Sequence, residues 1–148
     1  MSLKEKLNND LRDAMRSKDK IKLETIRSVR SAIKYAEIEA GQECDDAGVL
    51  VVITKQAKQR RDSIAEFEKA KRADLVAQES AELAVLEQYL PAQLSEADIK
   101  AKAAALIAQL GITDAKGIGV VMKHLMADLQ GQADGKIINQ IVRQLLNS

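Results

Sequence analysis

Apolar residues recur along this chain at intervals of three and four, in seven separate stretches. Leu3, Leu7, Leu11 and then Ala14 or Met15 mark the first. Ser2 stands before it with Glu5 three residues on, the pattern in which each side chain satisfies the other's free backbone N–H. Asp19 suits the cap of a second helix, with Leu23, Ile26, Val29 or Arg30, Ile33 and Ala36 as its stripe. Gly41 supplies a left-handed stop. Residues Gln42 to Gly48 read as an acidic loop. Val49 to Ile53 are five apolar residues in a row, which invites a strand. The period of 3.6 continues instead through Arg60, Ile64 and Phe67 to Lys71, and no second strand is available for pairing. A fourth helix is predicted from Asp74 to Leu90, with Leu75, Glu79, Glu82, Leu83, Leu86 and Leu90 on one side.

Pro91 breaks the pattern, because it lacks an N–H and clashes with the preceding turn. Beyond it, Ser95 caps a fifth helix that carries Ile99, Ala103, Leu106, Ile107 and Leu110, and Gly111 ends it. Asp114 caps a sixth with Ile118, Val121, Met122, Leu125 and Met126, and Gly131 ends that one. Asp134 opens a seventh with Ile137 or Ile138, Ile141, Val142, Leu145 and Leu146. The expectation is an all-α chain. A four-helix N-terminal domain over 1–90 precedes a small three-helix bundle over 91–148.

Composition reinforces this reading. Hydrophobic residues make up 46% of the 148, yet the aromatic ones are Tyr35, Phe67 and Tyr89 alone. Leu, Ile, Val, Ala and Met must build the core, which favours helices. A formal net charge of +1 excludes a strongly basic nucleic-acid binder. The charge is uneven, however. Lys18, Lys20, Lys22, Arg27, Arg30 and Lys34 form one basic run, interrupted by Asp19 and Glu24. Lys55, Lys58, Arg60 and Arg61 form another. One cysteine, Cys44, excludes an internal disulfide and a cysteine-based metal site, and fits a reducing compartment. The first residues are charged, with no apolar segment of a secretory signal and no run long enough to span a membrane. A cytoplasmic location is therefore expected.

Candidate chemistry is sparse. Glu79 and Glu82 share a helix side, but acid–base work needs a carboxyl with a raised pKa in a dry pocket, and a solvated face is the better reading. His124, the single histidine, reads as a surface residue, and its pairing with Cys44 is disfavoured. Glu43, Asp45 and Asp46 lack the spacing of a calcium loop. No catalytic residue, metal or cofactor is expected. Lys116-Gly117-Ile118-Gly119 could cradle phosphate at a helix N-terminus, though no P-loop or dinucleotide pattern is present, and glycines that allow close packing are the better account. Lys58, Arg60 and Arg61 read as a solvated, salt-bridged face, or more sharply as a phosphate contact surface. Arg60 falls on the apolar stripe, its stem against the core. Without aromatic platforms, single-strand binding by base stacking is disfavoured.

Three ordered motifs resemble one family. Lys58-Gln59-Arg60-Arg61-Asp62-Ser63-Ile64 with Phe67 resembles the third-helix motif of YqeY-like proteins. Tyr89-Leu90-Pro91-Ala92-Gln93-Leu94-Ser95 resembles the join between that family's halves. Gly119-Val120-Val121-Met122, then Gly131 to Lys136 and Ile141-Val142, resembles its C-terminal signature. Gln132 departs from it, standing where the family commonly carries Arg. The resemblance implies a two-part all-α fold whose C-terminal part is similar to the tail of the B subunit of glutamine-dependent aminoacyl-tRNA amidotransferases, a tRNA-contacting appendage. A label of carbon–nitrogen ligase with glutamine as amide donor would be inherited from that larger enzyme, since no glutaminase nucleophile or ATP site is legible here. The expected function is a non-catalytic accessory or tRNA-binding module, with Lys116, Lys123, Lys136 and Arg143 as its contacts and no specificity for DNA. The alternative is an adaptor docking on an amidotransferase or an aminoacyl-tRNA synthetase.

Overall fold

Local capping chemistry decides where the helices begin. A computed structural model describes residues 1–147; Ser148, the last residue of the expected C-terminal domain, lies outside the described residues. The protein is all-α, with no strand among the described residues. Its α-helices are α1 (Leu3–Ser17), α2 (Lys20–Ala40), α3 (Asp46–Lys69), α4 (Ala73–Glu87), α5 (Glu96–Leu110), α6 (Ile118–Asp128) and α7 (Gly135–Asn147). A 3₁₀ turn, Ala115–Gly117, leads into α6. Ser2 and Glu5 complete the reciprocal cap of α1. Asp19 accepts from the Lys22 N–H at the start of α2, and Ser95 from the Asp98 N–H at the start of α5. Gly41 and Gly111 close α2 and α5 in left-handed conformations, at φ 69° and 68°.

Three expected boundaries are corrected. The acidic loop is shorter, because Asp45 accepts from the Gly48 N–H and so starts α3 at Asp46. The carboxylate placed there by sequence as loop acid is thus a cap. The fourth helix stops at Glu87 rather than Leu90. Asp114 caps the 3₁₀ turn and not the sixth helix itself, accepting from the Lys116 N–H two residues on.

The described chain divides into two compact units, Met1–Leu90 and a second from Pro91 onward. In the first, α3 and α4 make the most extensive pairing. Its core joins Leu7 of α1, Ile26, Val29 and Ile33 of α2, Val49, Ile53 and Ala57 of α3, Leu86 of α4, and Tyr89 in the turn just after α4. Each large aliphatic side chain fully buried in this way stabilises the fold by about 1.5–3 kcal/mol. Buried Thr25 satisfies its hydroxyl by donating to the Ile21 carbonyl at 2.7 Å. In the second unit, Ile99 and Ala103 of α5 meet Val121 and Leu125 of α6 and Ile138, Ile141, Val142 and Leu146 of α7. The Leu94 N–H donates to the Gln132 carbonyl at 2.8 Å, and the Gln93 amide to the Gly131 carbonyl at 2.7 Å, which holds the entry strap onto this bundle. No single helix among the described residues is long and apolar enough to cross a membrane.

Candidate functional site

The C-terminal bundle sorts its side chains by helix face. On α7 the inward positions are Ile138, Ile141, Val142 and Leu146, which leaves Lys136 and Arg143 outside, both exposed. Seven residues make nearly two turns, so these two cations lie on one stripe, about 10 Å apart along the axis. Arg143 is held there by its Nε, which donates to Asn139 Oδ1 at 2.7 Å one turn earlier. Lys123 is exposed on α6, where Val121 and Leu125 face the core. Lys116 is exposed on the 3₁₀ turn before that helix. The structure therefore brings Lys136 and Arg143 onto one face of one helix, while Lys116 and Lys123 come from separate elements.

The glycines beside Lys116 have different roles. A Cβ on Gly117 would stand 2.3 Å from Ile112 Cγ2, so the missing side chain makes room for packing. Gly119 has nothing within 4 Å of the same position, and the expectation that it too permits a close approach is corrected.

In the N-terminal unit the cations of α3 meet acids. Lys58 Nζ lies 3.6 Å from Asp62 Oδ2 one turn on, and Arg61 Nη2 lies 3.6 Å from Glu87 Oε1. Arg60 Nη1 donates to Glu79 Oε2 at 3.3 Å and lies 3.1 Å from Glu82 Oε2, a charge contact off the hydrogen-bond direction. The three side chains retain 25%, 17% and 14% of their exposure. The reading of Glu79 and Glu82 as a solvated face is thereby overturned: they are drawn inward by a half-buried guanidinium. The signal was present in Arg60, whose place on an apolar stripe required an opposite charge on the facing helix.

The remaining reactive groups are dispersed. His124 is exposed on α6, and Cys44 is half-buried between α2 and α3. Glu37 accepts from the Cys44 N–H at 2.8 Å and from Lys4 Nζ, and these two donors hold its carboxyl below the usual glutamate range. Asp46 Oδ1 accepts from the Leu3 N–H at 3.0 Å. No group of three His, Cys, Asp or Glu among the described residues is placed to hold a metal ion.

A family model described as Yqey-like protein matches residues 4–146. The chain belongs to the YqeY-like family. It is also similar to curated fungal proteins, each named "Altered inheritance of mitochondria protein 41, mitochondrial". The one from Lachancea thermotolerans is 42% identical over 108 residues, which take in 70% of this chain and 57% of that protein. The one from Pyrenophora tritici-repentis is 32% identical over 145 residues, 97% of this chain and 80% of the relative. A Saccharomyces cerevisiae relative is 39% identical over 127 residues, 83% of this chain and 68% of its own length. The chain thus spans little more than half of the Lachancea protein and more of the other two. These names correct the cytoplasmic expectation, since the relatives are mitochondrial. A lone cysteine and the lack of a long apolar run are compatible with any reducing compartment, so they could not single out the cytoplasm.

Proposed function

We propose that this YqeY-like chain is a non-catalytic accessory module that binds structured RNA, tRNA first among the candidates, through its C-terminal bundle. The observation that carries the reading is the Lys136–Arg143 stripe, two exposed cations on one face of α7 opposite the core. Lys116 and Lys123 add two further exposed cations to the same unit, on the 3₁₀ turn and on α6. Such side chains suit phosphate oxygens, which dominate affinity for nucleic acid and make it fall steeply with salt. Gln132 contributes no charge, so the contact is electrostatically modest. Lys58, Arg60 and Arg61, each facing a carboxylate in the N-terminal unit, are further candidates. A carbon–nitrogen ligase activity with glutamine as donor belongs on this reading to the larger enzyme whose subunit tail the C-terminal part resembles.

Fluorescence anisotropy with total tRNA at low salt tests this. The expected result is salt-sensitive binding that weakens in Lys136→Gln/Arg143→Gln. No binding, or binding indifferent to salt, sinks it. A second reading, an adaptor for an amidotransferase or aminoacyl-tRNA synthetase, has its own support in Val120 and Met126, which are 51% and 45% exposed on α6. A native pull-down that recovers such an enzyme through wild-type protein but not through Val120→Asp favours it.

A further inference from the structure

A groove of about 540 Å³ lies between α1 and α2 in the N-terminal unit. Leu7 and Ile33, both core residues, reach its floor. Its α2 wall carries Arg27, Arg30 and Lys34. Positions spaced three, then four residues apart share one helix face, and these three extend over about 10 Å of axis. All three are exposed, and none is paired with a carboxylate among the described residues. The cations of α3 behave differently, since Lys58, Arg60 and Arg61 each face an acid.

The groove does contain one carboxylate, that of Glu37. It is already engaged by Lys4 Nζ and by the Cys44 N–H, so it does not neutralise the three cations of the wall. Like charges stacked on one helix face repel one another and disfavour the helix. Concave walls of low dielectric focus the resulting positive potential into the groove. An anion carrying several charges relieves that repulsion. Arginine forks match the oxygens of phosphate in pairs, and the apolar floor accepts an uncharged part of the ligand. The volume falls within the range of about 300–1,000 Å³ typical for small-molecule sites.

We infer that this groove binds a compact, multiply phosphorylated small molecule, with Arg27, Arg30 and Lys34 holding its phosphates. The site is separate from the C-terminal cations and does not depend on RNA binding there.

Isothermal titration of the full chain with inorganic tripolyphosphate is the test. One saturable, salt-weakened site is expected. Arg27→Gln/Arg30→Gln lowers its affinity about tenfold or more, the scale of losing charge-assisted hydrogen bonds. Lys34→Gln weakens it less, and Glu37→Gln strengthens it by releasing Lys4, which also lines the groove, from its ion pair. Far-UV circular dichroism checks that each variant is folded; Lys34→Gln alone serves if the double variant is not. Absence of binding by wild-type protein, or equal binding by the variants, overturns the inference. So does an outcome in which the double variant loses affinity for a short RNA duplex or for phosphatidylserine vesicles while wild-type protein ignores tripolyphosphate.

Discussion

The Tyr89 hydroxyl donates to Asp10 Oδ2 at 2.5 Å, tying the turn after α4 to α1 across 79 positions of sequence. The ring itself is buried, 6% exposed, and Lys6 Nζ sits 5.2 Å from its centroid. Burial first, and then the bond to Asp10, hold the hydroxyl's pKa well above the ordinary tyrosine value. Tyr89→Phe should cost about 1 kcal/mol, a fall in melting temperature of about 4–8 °C for a unit of this size. Because the folded pKa is raised, the hydroxyl's contribution is complete below about pH 10 and is lost as pH rises beyond it. Urea titrations above and below that pH should show wild-type protein losing stability that the phenylalanine variant never had.

Arg60 sits between two half-buried carboxylates, so its removal is worse than the loss of a surface ion pair. Arg60→Met should destabilise by about 2 kcal/mol, less than for a fully buried pair because part of the cluster meets solvent. Adding Glu79→Gln and Glu82→Gln should recover most of that loss. Chemical denaturation of the single and triple variants decides between this and a bystander role, in which the triple variant would be no better than the single.

Gly117 and Gly119 lie two residues apart and should respond in opposite directions to alanine. Gly117→Ala drives a methyl group into Ile112 and should cost about 1–3 kcal/mol. Gly119→Ala enters open space at the first turn of α6 and should stabilise by about 0.5 kcal/mol. Far-UV circular dichroism melts of the two variants check both signs.

Glu37 gives the N-terminal unit an acid-labile contact. The hydrogen bond from Lys4, and then that from the Cys44 N–H, depress its pKa below the ordinary 4.5. Its stabilising effect is therefore complete above that value and declines as pH falls toward the depressed one. Glu37→Gln should flatten the dependence of the urea midpoint on pH as pH falls below the ordinary glutamate value. An unchanged slope would place the acid sensitivity elsewhere.

The local chemistry of helix ends was legible in sequence. Ser2 with Glu5, Asp19, Ser95, Gly41 and Gly111 act through neighbours three to five residues away, so their roles needed no tertiary knowledge. Val49 to Ile53 also yielded to periodicity. Asp45 was harder: an acid before a helix reads equally as loop or cap until the first turn is seen. Glu79 and Glu82 were misread because their burial is imposed by Arg60, nineteen and twenty-two positions earlier, through the pairing of α3 with α4. The groove cations were visible as a basic run, but their convergence with Leu7 required α1 to pack against α2. On α7 Lys136 and Arg143 were named as candidate contacts, but their common stripe was drawn only once the helix and its buried face were seen.

The scarcity of aromatic residues has a spectroscopic consequence. Tyr35, Phe67 and Tyr89 all belong to the N-terminal unit, and the chain has no tryptophan. Tyrosine emission and near-ultraviolet dichroism therefore report that unit alone, through a core chromophore at Tyr89 and a solvent-exposed one at Tyr35. Backbone dichroism reports both units. Overlaying the two signals in a single melt separates the unfolding of one half from the other, with no label attached.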